Sequence, residues 1–502
     1  MNLVITDSGQ KALTLGAVAR RLPDRENWSV VPATGFDMDF PKKGIGIDFD
    51  LREPRLVVSN KTVLTKVLQS VSDVHAVYLF INNDRAGEGL AGHLRRNILD
   101  HFPEKPVKRL SVREVTLPGF QEAVASAYDI HPKAFDAYLA GRIIDRLIQY
   151  RLGKITGHRI GRAMTPAVAF ASREPSSLYR VVANYDGTIL SSVFADEAVC
   201  RNTAHILETT TVEPDLEVAD VPSYPPTPFD STSLLTVGID LLRSKGISIL
   251  SIARQLYEGG LITDPFNAGT SVSPEFYALV AARVKSLAGP AFVGRHVVGS
   301  DRECVRPTDI FRDPSQVAKH LQPLYRLIWA RTIASCSVPA KVRRRSARLR
   351  LDTELTGSAY SVIEPGHIRV GLGIFSEKES TFPTQFVRPV VSVEAQTPNV
   401  NEAILLHEFA QKRIPANASI VLKAAENNGY IEFDGLNVAV TQSGMTMLEK
   451  IAQVAPEMIG LGFLVESERR LDLIASGKEA KNDIIDDYVE WSEQWQKGRS
   501  DD

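Results

Sequence analysis

The stretch Ala76-Val-Tyr-Leu-Phe-Ile81-Asn-Asn-Asp84-Arg-Ala-Gly87-Glu88 decides how the chain begins to fold. Six apolar residues in a row suit a buried strand, the polar Asn-Asn-Asp run ends it, and Leu90, Leu94 and Ile98 recur at helical spacing beyond it. Upstream, Leu3-Val-Ile-Thr-Asp7-Ser-Gly-Gln-Lys11 repeats the pattern: a short buried strand, a glycine turn, then a helix starting near Lys11. Strands alternating with helices imply a parallel sheet, and ligands of such sheets sit beyond the strand C-termini. Asp7 and Asp84 are expected to meet there.

Downstream, Phe120 to Tyr150 reads as helix, with Leu139, Ile143, Leu147 and Tyr150 on one stripe. From Arg142 to Arg173 seven Lys or Arg face a single acid, Asp145. Such an excess is either a phosphate-contacting surface or a solvated helix face. Residues 179 to 222 alternate apolar and polar as strands do, and Tyr224-Pro-Pro-Thr-Pro-Phe229 marks a stiff linker. Helices are expected at about 231 to 245 and 248 to 258. Gly259-Gly260 then stops a helix before Leu261-Ile-Thr-Asp264-Pro-Phe266. Lys341 to Arg350 holds six basic residues in ten, a solvated hinge or a phosphate rail, and residues 347 to 394 alternate again.

At 502 residues the chain has room for two to four domains. Its 58 Lys and Arg against 60 Asp and Glu leave a net charge of -2, so any nucleic-acid binding must come from local basic surfaces. Cys200, Cys304 and Cys336 lack Cys-x-x-Cys spacing, which argues against a zinc ribbon or a disulfide framework. With no long apolar run and no signal-peptide pattern, a soluble cytoplasmic protein is expected, nucleoid-associated if bacterial.

Several motifs together resemble the type IA DNA topoisomerases. Leu256-Tyr-Glu-Gly-Gly-Leu-Ile-Thr263 is similar to the segment that leads into that family's catalytic Tyr-Met-Arg-Thr-Asp-Ser, but Asp264 stands in the tyrosine's place and Phe266 in the arginine's. Asp7, Lys11, Asp84, Arg85, Gly87 and Glu88 resemble the toprim motifs, with Asn82 and Ala86 replacing two carboxylates of Asp-x-Asp-Arg-Glu-Gly-Glu. Asp7, Asp84 and Glu88 are therefore either a weakened magnesium site or groups that solvate the sheet edge. Ala140-Gly-Arg142-Ile-Ile-Asp145-Arg146 and Gly161-Arg162-Ala-Met-Thr165-Pro look like the family's strand-groove signatures. Asp301-Arg302-Glu303-Cys304-Val-Arg306-Pro-Thr308 resembles Ala-His-Glu-Ala-Ile-Arg-Pro-Thr, with Arg302 for the histidine, and Ala416 stands where a further arginine is usual.

The resemblance implies a multidomain α/β, α and β fold closed into a torus: a toprim parallel-sheet domain, helical domains and a β-rich arch. The segments expected are a toprim-like domain at 1–118, a helical strand-groove domain at 119–178, 309–345 and 397–478, and the β arch at 179–223 and 346–396. A displaced helical domain that would carry the tyrosine loop takes 224–308, and an acidic helix or tail takes 479–502. No catalytic residue stands at the degenerate positions Asp264, Phe266, Arg302 and Ala416. Nucleic-acid contacts are expected from Lys11, Arg142, Arg146, Arg162, Thr165 and Arg306, with magnesium weak or absent and no cofactor required. The expected function is a non-cleaving binder of single-stranded DNA or an assembly subunit, whose partner would be an active topoisomerase, a helicase or a nuclease. The alternative is an active strand-passing enzyme with a relocated tyrosine, Tyr224, Tyr257 or Tyr277.

Overall fold

The computed structural model describes residues 1–112, 115–173, 178–185, 188–211, 213–266, 268–299, 302–351, 353–371, 389–396 and 400–497. Asn267 and Asp301 of the motifs, much of the expected 346–396 arch segment and the end of the 479–502 tail lie outside them. Two compact units emerge: one from 1–172, 244–260 and 401–502, the other from 173–243 and 261–400.

The first unit begins with a parallel sheet. Its elements are β1 (Asn2–Thr6), α1 (Gly9–Ala19), β2 (Trp28–Pro32), α2 (Lys61–Val71), β3 (Ala76–Phe80), α3 (Arg85–His101) and β4 (Val107–Arg109), with strand order β2-β1-β3-β4. Alternation along β1 sends Leu3 and Ile5 to a core shared with Val67, Val71, Leu94 and Ile98. Val4 goes to the other face, with Leu15, Val18 and Phe120. Each helix starts on a polar cap: the Ser8, Asn60 and Asp84 side chains accept from the amides of Lys11, Val63 and Gly87. Both faces of the sheet are thus covered, as parallel pairing requires.

The expected single helix from Phe120 to Tyr150 is instead two, α4 (Leu117–Ala125) and α5 (Pro132–Leu147). Between them Tyr128 pairs with Arg109 at the sheet, its amide bonding the Arg109 carbonyl at 3.2 Å and its carbonyl accepting from the Arg109 amide at 2.7 Å. That tertiary pairing takes the backbone out of the helix, and Pro132 has no amide to carry one through. α3 and α5 meet where α3 has no side chains. A Cβ on Gly89 would come within 2.4 Å of the Tyr138 ring, and one on Gly92 within 2.2 Å of the Phe135 ring.

Further helices of the unit include α6 (Met164–Ala171), α7 (Gly246–Glu258), α8 (Leu461–Ala475) and α9 (Lys481–Lys497), with α8 and α9 packed on α5. α7 lacks a local side-chain cap, and buried Glu402 supplies one by accepting from the Gly246 amide at 2.8 Å. α9 is a docked helix as far as Lys497, with Ile484, Ile485, Tyr488 and Trp495 buried.

The second unit holds a six-stranded antiparallel sheet. Its strands are β5 (Leu178–Tyr185), β6 (Thr188–Phe194), β7 (Asp215–Ser223), β8 (Ala340–Arg350), β9 (Glu354–Glu364) and β10 (Val390–Gln396), in the order β7-β8-β9-β6-β5-β10. The expected run of strands to residue 222 is interrupted by a helix at Glu197–Thr209. Asp196 caps its first amides, and Cys200, Ala204 and Leu207 pack from one face onto Val181, Leu190, Leu349 and Leu355. Ile206, Glu208 and Thr210 therefore alternate by chance in a helical segment. The basic run from Lys341 is no hinge: it is β8, whose Arg343, Arg348 and Arg350 pair with Asp220, Glu354 and Asp215 of neighbouring strands.

Candidate nucleic-acid site and its acidic edge

The first cluster lies in the first unit, where β1 and β3 end. The Asp7 carboxylate turns across to β3 and accepts from the Asn82 amide at 3.1 Å. Lys11, one turn into α1, places its ammonium 3.0 Å from both Asp7 oxygens and donates to the Asn82 side-chain oxygen as well. The ammonium also lies 5.5 Å from the centre of the Phe80 ring, and the side chain is 10% exposed. Asp84 Oδ1 is committed to the α3 cap, 2.7 Å from the Gly87 amide. Gly87 is required here, because a Cβ would sit 1.9 Å from the Asn82 carbonyl oxygen.

Glu88 turns inward. Its Oε1 accepts from Arg109 Nη2 at 2.7 Å, and Arg109 also donates to the carbonyls of Ile81 and Asn82. Arg109 is fully buried. It pins the β3–α3 loop from beneath, a role that the sequence reading missed; the signal was an arginine set between Val107 and Leu110 in a short strand. Asp84 was expected to meet Asp7 at the sheet edge; Asp7 bonds Asn82 there, Asp84 Oδ1 caps α3, and Glu88 Oε1 turns to the buried Arg109.

The groove residues cluster on α5 and the turn before α6. Arg162 donates to Asp145 Oδ1 at 2.8 Å and to Glu468 Oε1 at 2.6 Å, while Arg85 binds Glu468 and Asp472. Burial alone would lower the Arg162 pKa, but the Asp145 and Glu468 carboxylates outweigh it and hold the guanidinium above its ordinary value. Glu468 is 7% exposed and joins a toprim-motif arginine to a groove-motif arginine. Sequence reasoning did not single it out.

Arg142 pairs with Asp39 at 2.5 Å, and Arg146 donates to the carbonyls of Gly44 and Ile45 over the Phe40 ring. Arg151 reaches Ser492 and Val489 of α9. Thr165 has no exposed surface, and its hydroxyl accepts from the Gly161 amide at 3.4 Å. Its buried hydroxyl shapes the turn. Lys154 and Arg159, between α5 and α6, are exposed.

The second cluster lies in the second unit. Ile262, Gly269 and Ser271 pair with Pro307, Cys304 and Glu303, so the Leu261–Ser271 loop is laced to the Arg302–Thr308 motif. Asp264 Oδ1 accepts from the Phe266 amide at 2.8 Å, an Asx turn, and the Phe266 ring is 39% exposed. Arg302 contributes its backbone, accepting from the Ser271 amide at 3.1 Å. Arg306, expected among the strand contacts, is 7% exposed, stacks 3.6 Å from the Phe276 ring centre, pairs with Glu303 and donates to the Pro307 carbonyl. Ala416 belongs to the first unit, in the bend before the helix at Ala418–Asn427.

Comparison with solved structures sets the class. Full-length topoisomerase I from Thermotoga maritima, in a monoclinic crystal form, superposes with a TM-score of 0.76 at 23% identity, over 97% of this chain and 89% of that one. The likeness establishes a multidomain α/β architecture with the type IA topoisomerase fold. DNA topoisomerase 1 of the same organism is 25% identical, over 97% of this chain and 84% of that protein. A family model described as DNA topoisomerase matches residues 191–486, more than half of the chain, which therefore belongs to the DNA topoisomerase family, in its type IA branch.

Proposed function

We propose that this chain holds single-stranded DNA on a type IA topoisomerase framework, alone or as an assembly subunit, without cutting it. The observation that carries this reading is Asp264. Where the family's nucleophile is a tyrosine, the chain has a carboxylate engaged in a local turn with the Phe266 amide. A carboxylate attacking phosphorus would give an acyl phosphate that water hydrolyses, so the bond energy needed for resealing is not conserved. Phe266, Arg302 and Ala416 remove the family's other charge-stabilising groups, each worth roughly two orders of magnitude in rate. Incubation with labelled single strands, followed by denaturing electrophoresis, should give salt-sensitive binding and no covalent adduct. An adduct that maps to one residue would refute the proposal.

A second reading, active strand passage, draws support from the names of the matched proteins, which are DNA topoisomerases. It also has a structural argument in Tyr257, whose hydroxyl lies 3.4 Å from Ser8 Oγ, next to Asp7 at the acidic edge. The other two candidates are less suited: Tyr277 donates to the Gly294 carbonyl at 2.7 Å, and Tyr224 sits in the proline-rich linker. Relaxation of negatively supercoiled plasmid with magnesium, abolished by Tyr257→Phe, would establish this reading.

A further inference from the structure

The type IA fold implies magnesium at the toprim acidic edge, and the residues present do not fit it. Magnesium takes about six oxygens at roughly 2.1 Å and is held by one or more carboxylates aimed at a common point. Here each carboxylate is already committed. Asp7 faces the Lys11 ammonium, 3.0 Å from both oxygens; Asp84 caps α3; Glu88 is neutralised from below by the fully buried Arg109. Asn82 offers Lys11 an amide oxygen where the family motif has a carboxylate, and Ala86 offers nothing. Among the described residues, no three His, Cys, Asp or Glu side chains converge closely enough to hold a metal ion. Glu88 Oε2 and Asp7 Oδ1 are buried and accept no hydrogen bond, but the charge of the first carboxylate is met by Arg109 and that of the second by the Lys11 ammonium at 3.0 Å.

We infer that this edge holds no divalent ion, because Lys11 and Arg109 already meet the Asp7 and Glu88 carboxylates and Asn82 and Ala86 supply none, and that strand binding by this chain is independent of magnesium. Three carboxylates against the two cations Lys11 and Arg109 leave one formal negative charge. A divalent ion would have to enter beside the Lys11 ammonium and pull Asp7 away from it. Two like-signed charges at such a distance oppose each other. The second half of the inference rests on the strand-holding proposal; the first half does not.

The test uses the full chain and Mn2+ as a magnesium surrogate visible by electron paramagnetic resonance. Wild-type protein should bind no Mn2+ below millimolar concentration, and the Asn82→Asp, Ala86→Glu variant should acquire a site from which Mg2+ displaces Mn2+. Fluorescence anisotropy with a labelled single-stranded oligonucleotide should give the same Kd with magnesium as with EDTA. Tight, Mg2+-competable Mn2+ binding by the wild type would overturn the inference. So would a folded double variant that binds no Mn2+, or oligonucleotide binding that EDTA abolishes. If the oligonucleotide binds in neither buffer, strand holding falls, and the Mn2+ titration still decides the metal question.

Discussion

Arg109 shows how much one side chain can decide. It is fully buried, and its guanidinium serves Glu88 and two carbonyls of the loop that aims Asp84. Removing one partner of a buried pair leaves the other charge unmet, at a cost of about 3–5 kcal/mol. Arg109→Ala should therefore lower the denaturation midpoint sharply, and adding Glu88→Gln should restore part of the loss. Gly87→Ala should be similarly severe because of the clash with the Asn82 carbonyl, whereas Gly462→Ala, with nothing within 4 Å of its Cβ position, should cost little. His93 gives a pH signature. Burial, followed by the nearby Arg96 and Arg142, lowers its pKa from 6.5 to about 4. The fold thus favours the neutral ring, and the unfolded chain takes up the proton first on acidification. Stability should be full above pH 6.5 and fall as pH drops toward 4, by on the order of 2–3 kcal/mol in total. His93→Leu should flatten that slope in denaturant melts taken across the window.

Among the elements, α9 gains most from the structure. An acidic helix or tail was expected there, and the helix buries Ile484, Ile485, Tyr488 and Trp495 as it packs on α5 and α8. Tyr488 also shares a 2.7 Å hydrogen bond with Ser467, and Arg470 pairs with Asp487. Truncating a buried aromatic costs about 3–5 kcal/mol, so Tyr488→Ala should lower the melting temperature measurably, more than Glu490→Ala at a less buried position. α9 also holds Arg151 through Ser492 and Val489, so Arg151 is taken up inside the unit rather than offered to a ligand. The helix at Glu197–Thr209 and the break before Pro132 were misread for a common reason. Short apolar runs fit more than one period, and the arbiter, a cap in one case and pairing of Tyr128 with Arg109 in the other, is local in space rather than along the chain.

At the scale of the whole molecule, a net charge of -2 means that strand binding must come from a patch, and most arginines in the basic stretch are paired internally. The exposed Lys154 and Arg159 are the better probes. Each DNA phosphate deprived of its cation should reduce the slope of log K against log salt by about 1, so Lys154→Ala with Arg159→Ala should flatten that slope without unfolding the chain. Arg162→Ala should instead strand Asp145, leave Glu468 to Arg85 alone and lower stability, whatever it does to binding.

The sequence by itself determined the alternation of buried strands and helices at the start of the chain, the family likeness and the identities of Asp264, Phe266, Arg302 and Ala416. These are properties of residue order and type, and no folding can change them. Only the tertiary structure decided that Lys11 bridges Asp7 to Asn82, that Arg109 claims Glu88, that Glu468 ties Arg85 to Arg162 and that α9 docks. Each of those depends on groups far apart in the chain being brought within reach of one another. Charge and periodicity along the chain carry no information about which opposite charge a buried side chain will find.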